Sequence, residues 1–413
     1  MGWAIRVALV VSMAGCSLLV DGGGSSDPDA APAPPDAAVF GDCEVDGELA
    51  CEGDALAECR SNVLVEIESC ALACSEAGGA HCSTFQPSNL TGDDFGEASG
   101  ALVVPIGEIL TIDTGFDLLN PPPAARVQGQ DEAPTIAVFR YTDIQIDGRV
   151  EITGARLIAL VSSGDVSISG TVEVIEGFDF DCALPPADGF RFGGAGGGHG
   201  SLGGTGGGVT SGGGSALSGS EELSPLVPGC NGGAGGGAAG PGGLAGGGLQ
   251  VAAAGTLTIS GNLCGSGFGG GSVANSGGGG GGAGGAILLE AVSIVLEAGA
   301  AIVTHGGGGA GGGSIDGSGG MPGEHGCNPA NAPKGGNPDG SDVGVFPGRG
   351  GNGGTGTKTG DPGANAPDGN PGGGGGGGGG VGRIRLNSAG DSVATDGVSL
   401  SGVMTQGTLA PRD

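Results

Sequence analysis

The chain is poor in aromatic side chains and in positive charge. Its 413 residues include one Trp and one Tyr, and aromatic residues make up 3% in all. Grooves that bind sugars or peptides usually depend on Trp and Tyr, so a rich recognition cleft is not expected. Lys and Arg number 13 against 44 Asp and Glu, which gives a formal net charge of −31. Phosphate backbones repel such a chain, and this argues against nucleic acid as a partner.

Glycine is abundant instead, at 104 residues. It shows no strict Gly-X-Y period, which excludes collagen. Glycine contributes no side chain to a core, so we expect the core to come from a minority of segments rich in Val, Ile and Leu.

Residues 1–16, MGWAIRVALVVSMAGC, have the order of a signal peptide. Arg6 supplies the positive region, and the apolar stretch after it is too short to span a bilayer. The Ala-Gly pair before Cys16 resembles a bacterial lipobox, although Met13 stands where Leu is usual. The resemblance implies that Cys16 is lipidated, with ordinary secretion as the alternative. Ser17, in place of Asp, resembles the signal for sorting to the outer membrane.

Residues 17–42 are predicted to form a disordered tether of Pro, Ala and Asp, and residues 43–89 a disulfide-rich module. An even number of cysteines in a short exported segment indicates three disulfides, and 15 pairings of six cysteines are open. These six are Cys43, Cys51, Cys59, Cys70, Cys74 and Cys82. The alternative is a zinc site with four ligands. Those ligands are Cys70, Cys74, His81 and Cys82.

Four more cysteines lie beyond the module. They are Cys182, Cys230, Cys264 and Cys327. With Cys16 assigned to the lipid, the 11 cysteines of the chain leave an even number for disulfides. Five disulfides are therefore expected in an oxidising compartment.

Apolar residues at every second position predict β-strands in residues 156–177. The alternating residues are Val166, Ile168, Val172 and Val174. Similar segments recur at 249–263, 287–303 and 383–403, which indicates a repeated supersecondary unit. We therefore predict an all-β fold over residues 100–403, an irregular parallel β-helix or solenoid, with a tail at 404–413.

The stretch 277–309 is ambiguous when taken alone. Glu290 and Glu297 are seven residues apart, and Ala and Leu favour a helix. The matching segments are rich in Thr, Val and Ile, so the repeat favours a strand.

Long glycine-rich stretches at 177–248, 265–285 and 306–380 are predicted to be insertions in this solenoid. Two forms are open for them. Glycine has the largest ordering entropy, which favours mobile loops. Alternatively, such stretches pack side by side as a polyproline-II-like bundle, joined by backbone hydrogen bonds.

A catalytic site is not expected. Polygalacturonase-type β-helix enzymes carry Gly-His-Gly and Arg-Ile-Lys motifs, which the residues around His199 and Arg383 resemble. Asp179 and Asp181 precede the histidine, and carboxylates of this kind cleave glycosidic bonds. However, the Asn-Thr-Asp motif of those enzymes is absent, and a His inside polyglycine produces Gly-His-Gly by chance.

No cofactor or small-molecule substrate is expected. Structural calcium is an alternative, at Asp179 and Asp181 or at Asp339 and Asp342, because Ca²⁺ takes oxygen ligands. Asp in glycine-rich segments is more often a turn residue. His305 and His325 flank a loop and are predicted to be solvated, with metal binding as the alternative.

The module ends in His-Cys and then Pro87-Ser88-Asn89, as do short Cys-rich stretches of myxobacterial surface lipoproteins. The whole chain resembles the glycine-rich surface lipoproteins of that group, and its composition resembles that of mycobacterial PE-PGRS proteins. Their N-terminal helical domain is missing here. The resemblance implies a non-catalytic, lipid-anchored structural or adhesive protein of the outer membrane or cell surface. Its partners would be the membrane and an envelope, matrix or other-cell surface. The alternatives are a β-helix polysaccharide-processing enzyme and a receptor- or ice-binding tip made of ordered glycine-rich loops.

Overall fold

The architecture is that of a computed structural model, which describes most of the chain after residue 37. The described residues are 38–91, 95, 98, 100–115, 125–131, 133–175, 177–180, 182, 191–208, 214–237, 239–314, 318–339, 346–367, 372–390 and 392–412. Cys16 and the signal segment lie outside the described residues, as do Asp181 and Asp342. The regular structure of the described part consists of β-strands, and it contains no helix with the length and hydropathy of a membrane span.

The cysteine-rich region forms two small antiparallel sheets. The strands are β1 (Val39–Asp42), β2 (Leu49–Glu52), β3 (Ala55–Arg60), β4 (Val63–Ser69), β5 (Cys74–Ser75) and β6 (His81–Cys82). The first four form a sheet in the order β1-β4-β3-β2, and β5 pairs with β6. The apolar core of this region is small and consists chiefly of Ala57, Cys59 and Leu64, so its cohesion depends on disulfides.

The rest of the chain forms two larger sheets. Their strands are β7 (Leu102–Val104), β8 (Ile109–Asp113), β9 (Ala125–Gln130), β10 (Ala133–Tyr141), β11 (Ile144–Ile146), β12 (Arg149–Thr153), β13 (Leu157–Ser162), β14 (Val166–Ile168), β15 (Thr171–Val174), β16 (Gly248–Ile259), β17 (Asn262–Cys264), β18 (Ala286–Leu296), β19 (Ala301–Val303), β20 (Arg383–Ser388), β21 (Ser399–Ser401) and β22 (Val403–Thr408). Ten strands form one sheet, along the path β22-β20-β18-β16-β13-β10-β9, with β14, β11 and β7 continuing from β16. Six strands form the other, in the order β21-β19-β17-β15-β12-β8. All pairs in these two sheets are parallel except β9 with β10.

The apolar core lies between the two sheets. Alternate residues of β16 and β18, such as Val251 and Leu289, pack there with Leu263 and Ile302 of the six-stranded sheet. The other face of the ten-stranded sheet is also covered, since Leu288 packs with Leu223 and neighbours in a second cluster. A parallel sheet buried on both faces has apolar residues in unbroken runs, as in residues 286–289 of β18. The strand interpretation of the stretch 277–309 is thus confirmed.

The predicted irregular β-helix with glycine-rich insertions is wrong. The structure consists instead of parallel sheets of ten and six strands, with an antiparallel strand at one edge of the larger sheet. Strand β16 continues through Gly255, with an irregularity in its pairing with β18 between Ala253 and Thr256. The repeat of apolar patches correctly indicated strands, but it did not determine how many strands each sheet contains.

The glycine-rich stretches form a packed body of their own, which we call the glycine layer. It comprises residues 191–208, 229–237, 239–247, 265–285, 304–314, 318–339, 346–367 and 372–382. Its segments run side by side, and the amide of every third residue donates to a neighbouring segment. For one pair of segments these bonds join Gly278 to Gly374, Gly281 to Gly377 and Gly284 to Gly380. The backbone therefore repeats every three residues, whereas a β-strand repeats every two.

Glycine is required at many inner positions of this layer, although alanine occupies a few others, such as Ala283 and Ala310. A Cβ atom on Gly280 would lie 1.9 Å from the carbonyl oxygen of Ala195, and one on Gly376 would lie 2.0 Å from that of Gly279. The segments approach each other so closely because no side chain separates them. Their backbone hydrogen bonds, rather than apolar side chains, offset the entropy of ordering polyglycine.

Candidate functional site

The ten cysteines predicted to form disulfides are all paired. Within the module the pairs are Cys43–Cys59, Cys51–Cys74 and Cys70–Cys82. The other two are Cys182–Cys230 and Cys264–Cys327. The alternative zinc site in the module is wrong, because its three cysteines have no free thiolate.

The two disulfides outside the module attach the glycine layer to neighbouring structure. Cys264 ends strand β17, and its partner Cys327 lies in the layer. Cys230, also in the layer, is bonded to Cys182. Each bond closes a long loop, of 48 and 63 residues in sequence separation, which restricts the unfolded chain.

A surface cleft of about 240 Å³ lies beside the Cys264–Cys327 disulfide. One wall carries an ion-pair group in which Arg149 contacts Glu173 at 2.7 Å and Glu151 at 3.1 Å. Another wall carries His325, whose ring stacks on Phe268 with the centroids 5.2 Å apart. Its charged groups are already paired with one another.

This cleft also contains the only grouping of metal-type ligand atoms among the described residues. Glu173, Cys264 and Cys327 bring a carboxylate and two sulfurs within 4.8 Å of one another. The sulfurs are bonded as a disulfide, so the carboxylate is the one ligand of these three that a cation would find. Since this carboxylate is also paired with Arg149, the geometry does not support a metal centre.

A larger cleft, of about 430 Å³, lies where β9 meets the segment after the module. Its walls carry the amides of Asn89, Gln128 and Gln130. These amides are engaged within the protein: Asn89 donates to the Leu223 carbonyl at 2.9 Å, and Gln130 to the Leu226 carbonyl at 3.0 Å. They hold the segment around Leu223 against the sheet, which accounts for their presence without a ligand.

The most concentrated polar group of the interior surrounds Glu290, which is 0% exposed in the middle of β18. Its two oxygens accept four hydrogen bonds. The donors are the Ser88 amide (3.0 Å), the Ser88 hydroxyl (2.7 Å), the Gln250 amide group (2.7 Å) and the Asn387 amide group (3.0 Å). Gln250 and Asn387 are on the neighbouring strands β16 and β20. The network therefore fastens the segment that follows the cysteine module to the large sheet.

The charge state of Glu290 is set by opposing effects. Burial raises the pKa of its carboxyl, and the hydrogen bonds from Ser88, Asn387 and Gln250 act in the opposite direction. A carboxylate so enclosed has no access to a substrate. Glu290 therefore has a structural role, because it holds the segment around Ser88 to the sheet.

Of the predicted enzyme-like residues, His199 and Arg383 come close together in the interior, whereas Asp179 is exposed. His199 is 0% exposed, and its Nδ1 lies 3.0 Å from the Gly284 carbonyl oxygen. Burial lowers the pKa of His199 to about 4, and the nearby charge of Arg383 adds to the effect. Arg383 donates from Nε to the Ser218 carbonyl at 3.2 Å, and Asp179 accepts from Asn231 at 2.8 Å. A neutral, buried imidazole of this kind fills space and does not meet a polysaccharide.

The remaining predicted positions differ in outcome. His305 is fully buried, so the expectation that it is solvated is wrong, and burial lowers its pKa to about 4. His325 is exposed, as expected. Asp339 accepts a hydrogen bond from the Ser314 hydroxyl at 2.9 Å, while its proposed calcium partner, Asp342, lies outside the described residues.

Sequence comparisons supply no relative. No family model matches this chain, and neither the curated proteins nor the solved structures contain a match. Function is therefore argued from the molecule's own surfaces.

One surface stands out, and it was not predicted from the sequence. Four segments at the edge of the glycine layer, 321–324, 334–337, 349–352 and 361–364, lie side by side. Amide-to-carbonyl bonds join Met321 to Asn337, Glu324 to Lys334, Gly350 to Gly336, Asp361 to Asn352 and Ala364 to Arg349. The first and last residue of each segment point outward, and glycine or proline occupies the two positions between them. The signal was available in the sequence as MPGE, KGGN, RGGN and DPGA.

We call this surface the outer face. It has two rows of side chains, one from each end of the segments. The first row is Glu324, Lys334, Asn352 and Asp361, and the second is Met321, Asn337, Arg349 and Ala364. Seven of the eight are exposed, and Asn352, which bonds to Asp361 at 2.9 Å, is half-buried. The layer thus presents a regular array of polar and charged groups on a fixed backbone.

Proposed function

We propose that this protein is a non-catalytic structural or adhesive protein, lipid-anchored through Cys16 at the outer membrane or cell surface. The observation that carries the proposal is the outer face, an ordered array of exposed side chains on a hydrogen-bonded glycine layer. A rigid array binds with little loss of conformational entropy, which suits a protein that works by surface contact.

The chemistry of the chain supports export. Five disulfides are typical of a protein that matures in an oxidising compartment. Acylation of Cys16 with more than one chain would anchor the protein stably. The Pro- and Ala-rich residues that follow would hold the folded part away from the lipid headgroups.

The polar groups of the interior support the hypothesis that the protein is not a catalyst. His199 and Glu290, whose pKa values are altered by burial, are fully buried and hydrogen-bonded to neighbouring groups. An active site needs such groups in contact with a substrate.

The proposal is tested in cells that express the protein natively, with the gene deleted and then restored as wild type or as Cys16→Ser. We expect wild type in the membrane fraction and Cys16→Ser in the soluble fraction. Deletion should weaken cohesion between cells or their attachment to matrix, and Cys16→Ser should not restore it. A soluble wild-type protein would refute the anchor. Unchanged cohesion and envelope integrity after deletion would refute the structural or adhesive role.

A further inference from the structure

The outer face lies in a nearly neutral part of a strongly acidic chain. Residues 318–367, which contain it, have three basic and four acidic residues, a net charge of −1 in a chain of −31. Both lysines of the chain are in this range, Lys334 and Lys358, together with Arg349. By contrast, residues 38–91 have ten acidic residues and one basic residue. Two copies of this protein therefore repel each other through their acidic segments, and little of that repulsion arises at the outer face.

The outer face also carries both signs of charge within one array. Glu324 and Asp361 are in the same row as Lys334, and Arg349 is in the other row. A two-fold symmetric contact places the same patch of each copy against the other. The electrostatic energy of such a contact is favourable only if the charged patch carries both positive and negative groups. The outer face meets this requirement.

Two apolar side chains add area that a contact would remove from water. Met321, in the second row, is 59% exposed, and Phe346, three residues before Arg349, is 62% exposed. Apolar and aromatic anchors of this kind contribute most of the affinity in many interfaces.

The backbone beneath these side chains is held in place. Gly335 and Gly350 lie between outward positions, and a Cβ atom on either would be 2.0 Å from a carbonyl oxygen of a neighbouring segment, Gly350 and Gly309 respectively. The rows are therefore fixed before any contact forms, and association does not have to order them.

We propose that the outer face of the glycine layer binds the outer face of a second copy of this chain. The contact is isologous, and salt weakens it because it includes attractions between exposed charges. This inference rests on the proposed adhesive function and names the partner: a copy of the same protein, on the same or a neighbouring cell.

The test measures self-association of the purified full chain carrying Cys16→Ser, by analytical ultracentrifugation from micromolar to sub-millimolar concentration at low and high salt. We expect a monomer–dimer equilibrium that shifts to monomer as salt rises. Lys334→Glu should weaken dimerisation about tenfold, because it puts a third anion in the row of Glu324 and Asp361. Arg60→Glu, an exposed position of the cysteine module, makes the same change in net charge and should leave the dimer constant nearly unchanged.

The outcomes separate this inference from the proposed function. A monomer at every concentration, or equal effects of Lys334→Glu and Arg60→Glu, overturns the self-contact. If the purified protein is monomeric and the deletion still weakens cohesion, the partner is a different molecule and the adhesive role stands. If it dimerises as expected and the deletion has no effect on cohesion or the envelope, the contact stands and the adhesive role falls.

Discussion

The body formed by the ten-stranded and six-stranded sheets is stabilised chiefly by side chains, and the glycine layer chiefly by its backbone. In the sheets, buried Ile, Leu and Val side chains from facing strands fill the space between backbones. In the layer, backbones touch directly and the hydrogen bonds run from amide to carbonyl between segments. The hydrophobic effect accounts for the first, and close backbone packing for the second.

This difference reverses the usual effect of substitution. In the sheets a smaller side chain leaves a cavity, and the protein loses stability in proportion to the volume lost. In the layer a side chain is too large at many of the glycine positions, because a Cβ atom there would lie about 2 Å from a carbonyl carbon or oxygen. Chemically reactive side chains are therefore few inside the layer, where His199 and His305 are buried, and more numerous on its edges.

The largest effect is expected from Gly280→Ala, in the centre of the layer. The added methyl group would lie 1.9 Å from the Ala195 carbonyl oxygen, and the surrounding backbones have no side chain that can move aside. We expect a loss of at least about 3 kcal/mol in the free energy of unfolding, or failure to fold. Chemical denaturation of the purified variants measures it.

Gly326→Ala is the matched control, because a Cβ atom at Gly326 meets nothing within 4 Å. It should change stability by no more than a few tenths of a kcal/mol. Equal stability of the two variants would show that the close packing of the layer does not hold in solution.

In the sheets, Leu289→Ala should destabilise by about 2–5 kcal/mol, since Leu289 is 0% exposed in the main core and truncation leaves a cavity. Val295→Ala, on the same strand but 43% exposed, should cost about 1 kcal/mol or less. Thermal or denaturant unfolding of the pair compares buried and exposed positions of β18. A similar cost at both would contradict the placement of the core.

Local features of the body were predictable because they depend on near neighbours. The alternation of Val166, Ile168, Val172 and Val174 predicted strands β14 and β15, and these four residues are buried in the core. The parity of the cysteines predicted five disulfides, but their pairing depends on which strands lie together. In the module, for example, Cys51 is bonded to Cys74 across 23 residues.

Features that depend on distant segments were not predictable in this way. Polyglycine has the same composition whether it is mobile or packed, and its order here comes from neighbouring segments such as 278–284 against 374–380. His199 and Arg383 are far apart in sequence and meet only through this packing. The outer face was missed because its signal, an outward residue at each end of a four-residue unit, has a period of three that neither helix nor strand analysis seeks.

The smallest effect on the free energy of unfolding is expected from replacing Glu290, the carboxyl group buried in the ten-stranded sheet. Because burial raises the pKa of Glu290 above that of an exposed Glu, about 4.3, the folded chain binds more protons than the unfolded chain between the two values. Stability contributed by this group is therefore complete at low pH and falls as the pH rises through that window. Glu290→Gln cannot ionise, and the Ser88 hydroxyl can reorient toward an amide, so we expect a roughly constant cost of about 1 kcal/mol.

The free energy of unfolding, measured by denaturation across this pH range, should accordingly fall with rising pH more steeply for wild type than for Glu290→Gln. The variant should lose its disadvantage as the pH increases. Glu297→Gln, an exposed position just after β18, should retain the wild-type slope. If the slopes of wild type and Glu290→Gln coincide, the expectation is wrong. The hydrogen bonds to the carboxylate then lower its pKa as much as burial raises it, and Ser88 is held by an ionised carboxylate.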